Sequence, residues 1–347
     1  MNTWHPAPAE LAVTGMGVVS PWGDDPERAA AGGAAPLPAG EWFDHRTRLG
    51  PRGYKYLPPA AQYLLAAARA AQADGGCPEA RPAARRGLLL ATNAGLAGLF
   101  DSTDATLAAE GAAGISPASA PYFAVNVLGN RLAAELSLNG FALTFGTART
   151  AAVDALSAGA LALASGRCDT LVLAAAEELV PAGRGGGGEQ GAVALMLEPA
   201  AAARARGTAV RATLRARSLF LPPTALDTVQ GRARADRVLT AALTQLLPSA
   251  GPPPTVHPDL DSSPVSAAVA AALDGIAVRP PVPSDPLAAP GRTGCLGPAL
   301  ALARAVTTAV DGDRLVVCAT RAGHVALVRV SPEPPTTPQE SPHAEAA

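Results

Sequence analysis

Residues 138–178 read LNGFALTFGTARTAAVDALSAGALALASGRCDTLVLAAAEE. Phe141 to Phe145 is an extended apolar segment, Gly146-Thr147-Ala148-Arg149 is a tight turn, and an Ala/Leu-rich helix is predicted from about Thr150 to Ser165. A Gly166-Arg167-Cys168-Asp169 turn closes that helix, and Thr170 to Ala176 reads as a second buried strand. Strand, sharp turn, buried helix and strand present one side chain at a helix N-terminus. Here that side chain is Arg149.

The stretch resembles the nucleophile region of the β-ketoacyl synthases, where the turn reads roughly Thr-Ala-Cys-Ser/Thr and the helix ends at Gly-x-Cys/Ala-Asp. Thr147, Ala148 and Thr150 fit, but Arg149 stands where the resemblance places a cysteine that takes the acyl chain. A guanidinium is neither an acyl nucleophile nor, being always protonated, a general base. As a cation it also opposes the helix dipole. Arg149 is therefore expected to reach solvent or pair with a carboxylate, Glu177 and Glu178 being the candidates. The alternative is that it is an ordinary surface residue at a helix start.

At 347 residues, the chain can form one large domain or two intimately packed halves. Its 48% hydrophobic content fits a globular α/β protein, although alanine inflates the figure. A net charge of −2 gives no reason to expect nucleic acid or an anionic membrane as a partner. Lys55 is the only lysine, a bias that fits a GC-rich coding genome. The richest apolar stretch, Ala151 to Ala176, is interrupted by Asp154, Arg167 and Asp169, and no secretory signal opens the sequence. A cytoplasmic protein is expected. Cys77, Cys168, Cys295 and Cys318 are widely spaced, with no C-x-x-C pair or metal-ligand spacing, so reduced thiols, no metal and no cofactor are expected.

Leu11 to Val19 reads as a buried strand with a Gly-Met-Gly interruption. It lacks the third glycine and helix of a dinucleotide loop, whereas VTGMGVVSPWG resembles the first strand and loop of ketosynthases. After the Arg/Gly-rich segment from Trp42 comes an amphipathic helix following Pro58-Pro59; by resemblance, Arg46, Arg48, Arg52 and Lys55 form a contact surface for an acidic carrier protein. Gly87 to Gly98 is a second strand and Gly/Ala-rich turn. A helix from about Leu99 to Glu110 places Phe100, Thr103 and Leu107 on one face, for which core packing is the ordinary reading. Tyr122-Phe123-Ala124-Val125-Asn126 then matches the aromatic pair and Ala-Val-Asn of one branch of the family, the chain length factors of type II polyketide synthases.

Beyond Glu178 the chain takes a shortcut through a flexible glycine run, Gly185 to Gly188, to Glu189-Gln190-Gly191-Ala192. PSAGPPPTVHP reads as a loop. His257 lies near the family's His-Gly-Thr-Gly-Thr-Pro motif but is followed by Pro258-Asp259-Leu260-Asp261, and it reads equally as an ordinary loop residue. Where the family has a lysine and Gly-His-x-Leu-Gly-Ala-Ala-Gly, the chain has APGRTGCLGPAL, with Arg292 near the histidine's place and no lysine. Strands from Arg314 to Thr320 and His324 to Val330 form an apparent hairpin that lacks the family's Gly-Phe-Gly-Gly loop. The tail from Ser331 is Pro/Glu/Ser-rich and expected to be disordered.

The resemblance implies an α/β, thiolase-like fold: two pseudo-duplicated halves with stacked mixed sheets and helices between them. The expected divisions are 1–198, a shortened second half 199–330, and a tail 331–347. With Arg149, His257 and Arg292 as degenerate catalytic positions, it implies a non-catalytic chain-length-factor-like subunit that heterodimerises with an active ketosynthase, alongside an acyl carrier protein. Phe100, Thr103, Leu107, Tyr122, Phe123, Asn126, Phe141 and Phe145 are then tunnel or interface candidates. Two alternatives stand: an acyltransferase, thioesterase or decarboxylase using Cys295 at a helix N-terminus, helped by His257 or His324, and a scaffold sharing only the fold.

Overall fold

Two strand-rich segments, each containing an Ala-rich helix, build the molecule. The computed structural model describes residues 10–32, 41–75, 81–180, 189–248, 251–276, 278, 294–307 and 312–333. Cys77, the Gly185 to Gly188 run, Arg292 and the chain after Glu333 lie outside the described residues. The first half comprises β1 (Leu11–Val19), α1 (Pro26–Gly32), α2 (His45–Arg48), α3 (Pro59–Ala73), β2 (Arg86–Ala91), α4 (Ala97–Glu110), α5 (Val127–Leu136), β3 (Ala142–Phe145), α6 (Ala151–Ala164), β4 (Thr170–Glu177) and β5 (Gly191–Pro199). The second comprises α7 (Ala200–Ala205), β6 (Ala212–Phe220), α8 (Val229–Leu246), β7 (Thr255–Leu260), α9 (Pro264–Asp274), α10 (Leu296–Thr307), β8 (Arg314–Ala319) and β9 (His324–Pro332).

The strands form one mixed sheet of nine, ordered β3-β2-β4-β5-β1-β6-β9-β8-β7. Its two parts repeat one pattern. In the first, β1 pairs antiparallel with β5, β5 antiparallel with β4, and β4 parallel with β2. In the second, β6, β9, β8 and β7 repeat those steps in the same senses. The parts join where Leu11–Val13 pairs with Ala212–Leu214. Among the described residues, only the counterpart of β3 is missing from the second half.

Strand alternation sorts side chains into three layers. On β4, Leu171, Leu173 and Ala175 join a central core, while Val172, Ala174 and Ala176 pack outward under α3 and α5. On β8, Val316 and Cys318 face the central core, and Leu315, Val317 and Ala319 face α8 and α9. Helices α6 and α10 fill the centre between the two sheet parts. Their composition follows from that position. Both are apolar almost all round, and the many alanines let the sheet parts approach them. This is the thiolase-like arrangement implied by the resemblance.

The Gly-Met-Gly interruption has a packing cause. Register shifts between Val13 and Gly15, a β-bulge, and a Cβ on Gly17 would lie 2.1 Å from the carbonyl oxygen of Ala67 in α3. Close helix approach, not nucleotide binding, requires glycine there. Two expectations need correction. PSAGPPPTVHP is not wholly loop, because Thr255 to Leu260 is β7; as the outermost strand, it tolerates Pro258. Ser331 and Pro332, placed in the tail by composition, still pair with Thr213 and Ala212.

Candidate functional site

Arg149 occupies the turn between β3 and α6 with φ of +61°, a left-handed conformation that non-glycine residues rarely adopt. The amide of Thr150 donates to Ala148 O at 2.7 Å and that of Ala151 to Thr147 O at 3.2 Å, so the turn is tight. Its guanidinium Nη1 is ion-paired with Oδ1 of Asp259 on β7, and the two side chains are only 14% and 7% exposed. Asp154, in the first turn of α6, suits the positive end of the helix and accepts from the Thr150 hydroxyl at 2.8 Å. The carboxylate paired with Arg149 thus comes from the other half of the molecule, not from Glu177 or Glu178.

Asp259 was not singled out from the sequence, although a signal existed. In His-Gly-Thr-Gly-Thr-Pro the histidine stands five residues before the proline, and Asp259 stands five before Pro264. His257 is a buried residue of β7, not a loop residue, and by alternation it faces the same side as Asp259. Cys318 on β8 lies close enough to feel Asp259, Arg149 and Asp154, but it is fully buried, and burial pushes its thiol well above the ordinary range. A guanidinium paired with a carboxylate, beside a protonated thiol, supplies no acyl nucleophile.

Cys295 immediately precedes α10, at a helix N-terminus as expected, but its surroundings oppose a thiolate. It is fully buried, and its Sγ donates to Oε1 of Glu177 at 3.0 Å. Burial foremost, then Glu177 and Glu189, raise its thiol well above the usual value. Both carboxylates serve backbone amides: Glu177 accepts from Asn93, Ala94 and Cys295 at 2.9, 2.6 and 3.0 Å, and Glu189 accepts from Leu296 at 3.2 Å. This is a structural clasp joining the halves. His324 starts β9 and stacks edge-on against Phe220, with ring centroids 5.5 Å apart. Among the described residues, no group of three or more His, Cys, Asp or Glu is placed to hold a metal ion, and no helix is long and apolar enough to cross a membrane.

The tunnel or interface candidates fall on and beside an exposed apolar face. Helix α4 has no buried residue, so its Phe100, Thr103 and Leu107 stripe is not core: Phe100 is 43% and Leu107 48% exposed. Phe100 meets Phe123 with ring centroids 5.9 Å apart, and Tyr122 precedes it in the turn Pro117–Phe123. Asn126 is exposed where α5 begins. Phe141 and Phe145 flank and close β3 and pack partly on the central core. Among the described residues, strand β3 ends the sheet, paired only with β2, and its Leu143 is exposed. The β3 edge is thus unpaired beside an exposed aromatic pair, Phe100 and Phe123. In the proposed carrier surface, Arg48 pairs with Asp24, while Arg46, Arg52 and Lys55 are exposed.

Sequence and structural similarity place these features in a known context. The N-terminal domain of β-ketoacyl synthases matches residues 28–211, just over half of the chain. No curated protein sequence is matched. Among solved structures, a type II polyketide synthase acyl-carrier protein in complex with its ketosynthase bound to the hexaketide aligns at TM-score 0.71 and 17% identity, over 94% of this chain and 100% of that one. The ishigamide ketosynthase/chain length factor aligns at 0.68 and 20%, over 93% and 99%. A Streptomyces albus JA3453 oxazolomycin ketosynthase domain aligns at 0.64 and 19%, over 94% and 96%. With its turn, its clasped halves and its repeated sheet, the chain belongs to the β-ketoacyl synthase family.

Proposed function

We infer that the protein is a non-catalytic, chain-length-factor-like subunit that pairs with an active ketosynthase and shapes that partner's acyl tunnel in polyketide or polyene biosynthesis. The observation that carries this reading is the Arg149–Asp259 ion pair. By the resemblance Arg149 would take the seat of the nucleophilic cysteine and, by its spacing to Pro264, Asp259 that of the histidine, two groups that neutralise each other. Ketosynthase chemistry needs a thiolate and donors aimed at developing negative charge. Neither member of this pair provides a thiolate, and the Asp259 carboxylate is an acceptor.

The exposed face supports the same reading. Phe100, Thr103 and Leu107 on α4, with Tyr122 and Phe123, would stand against the partner's tunnel, where their bulk sets the length of chain that fits. The edge of β3 would carry the pairing, and an acyl carrier protein would approach the Arg46 and Arg52 surface. The Cys295 alternative requires a thiolate where burial and two carboxylates oppose one. Co-expression with a type II ketosynthase, followed by size-exclusion chromatography, tests the reading. A stable 1:1 complex is expected; a monodisperse monomer indifferent to the ketosynthase would contradict it.

A further inference from the structure

Successive side chains at the end of β4 turn to opposite faces, so Glu177 meets Cys295 while Glu178 turns outward between α3 and α4. Glu178 is 4% exposed. Its Oε1 accepts from the Gly98 amide at 2.6 Å, and its Oε2 is buried with no hydrogen-bond partner. Position 98 is glycine where a Cβ would lie 3.1 Å from Oε1. The amides of Ala60 in α3 and Leu99 in α4 exert weaker pulls on the same carboxyl, so two helix N-termini converge on it.

Glu178 lines a cavity of about 720 Å3, a size typical of small-molecule sites. Leu57, Pro58, Pro59 and Leu99 supply apolar wall, and Tyr63 and Tyr122 supply phenols. Tyr122 belongs to both, and Leu99 lies one turn before Thr103, so the cavity adjoins the proposed partner surface, while Glu178 itself is not part of that surface. The chemistry narrows the ligand. Two helix N-termini, with Lys55 at the wall, disfavour a cation, and Glu178 itself disfavours an anion. The orphan oxygen calls for a donor, since a buried acceptor left unmade is costly.

The geometry points to this cavity as a binding site for an uncharged, hydroxyl-bearing aromatic or alicyclic molecule that donates its O–H to Oε2 of Glu178. The titratable groups lining the cavity with the carboxyl are Tyr63 of α3, Lys55 and Tyr56 before it, and Tyr122, while Glu177, turned to the opposite face, acts on it only through its charge. Burial foremost pushes Glu178 up to about 7, while Tyr63, pushed up to about 12, stays neutral around that pH. A bound hydroxyl favours the carboxylate form, so binding tightens as pH rises from 6 to 8.

The test titrates 2-naphthol, and 2-methoxynaphthalene as its donor-free counterpart, into the full chain at both pH values by calorimetry. At pH 8, 2-naphthol is expected to bind about tenfold more tightly, the worth of one buried hydrogen bond to a charged group. Glu178→Gln, which keeps the size and an acceptor for Gly98, should abolish both that preference and the pH dependence; Glu178→Leu should abolish the preference. Thermal melts verify that both variants fold. Equal affinity for the two probes, binding of neither at millimolar concentration, or a preference that survives in Glu178→Gln would overturn the assignment. None of these outcomes bears on pairing with a ketosynthase.

Discussion

Arg149 and Asp259, 110 residues apart, meet as an ion pair across the two halves of the molecule. Because one end is fixed in a left-handed turn and the other on a sheet-edge strand, the pair couples the turn to the second half. Removing one partner leaves an uncompensated buried charge. Asp259→Ala or Arg149→Ala alone should therefore cost about 3 kcal/mol, whereas Arg149→Met with Asp259→Leu should cost less than either single change. Urea unfolding of the three variants measures this. Additive losses would mean that the two charges do not interact.

The exposed face predicts a split between stability and association. Phe100→Ala and Leu107→Ala should change the isolated chain's unfolding free energy by no more than about 0.5 kcal/mol, as expected for surface positions. Each should weaken the ketosynthase complex by about 2 kcal/mol, roughly thirtyfold, as truncated interface anchors do. Denaturation and titration of the same two variants give both numbers.

Much of this architecture was legible in the sequence. The turn between β3 and α6, the long helix after Pro58, and the strands ending at Ala91 and Glu177 all follow from apolar runs punctuated by glycine and proline. The contacts across the halves were not legible in the same way. Glu177 and Glu178, near Arg149 in sequence order, were natural candidates to pair with it. The fold turns one to the Cys295 clasp and the other to a cavity, while Asp259 arrives on another strand. Local periodicity reports which face a residue occupies, not which distant element packs there. His257 shows a related limit: its Pro-rich context reads as loop, whereas the fold adds that segment to the sheet edge as β7.

Glu178 gives a pH signature. Its folded pKa, about 7, lies above the ordinary glutamate value of 4.5 because burial disfavours the charge. The folded state therefore holds a proton that the unfolded state releases, and this contribution to stability is full below about 4.5 and lost as pH rises through about 7. Glu178→Gln should be more stable than the native chain by about 2–3 kcal/mol at pH 8, with the gap narrowing towards pH 5. Urea midpoints at the two pH values provide the check, and a gap that widens on acidification would reverse the assignment.

The thiols offer a kinetic test. Cys168, Cys295 and Cys318 are buried, and burial raises all three thiols, Cys168 to about 11. Iodoacetamide at pH 8 should leave these three unmodified in the native chain and label them only as fast as the protein opens. Peptide mapping by mass spectrometry resolves each site. Rapid native labelling of Cys295 would revive its candidacy as a nucleophile.

The most direct measurement of the central claim is intact-protein mass spectrometry, after exposure to acyl and malonyl thioesters of a carrier protein, on this chain alone, a ketosynthase alone, and the two together. The account predicts no acyl adduct or elongated product from this chain alone, and products from the mixture whose length changes with Phe100→Ala. A covalent acyl adduct on the isolated chain, followed by chain elongation without any partner, would contradict it.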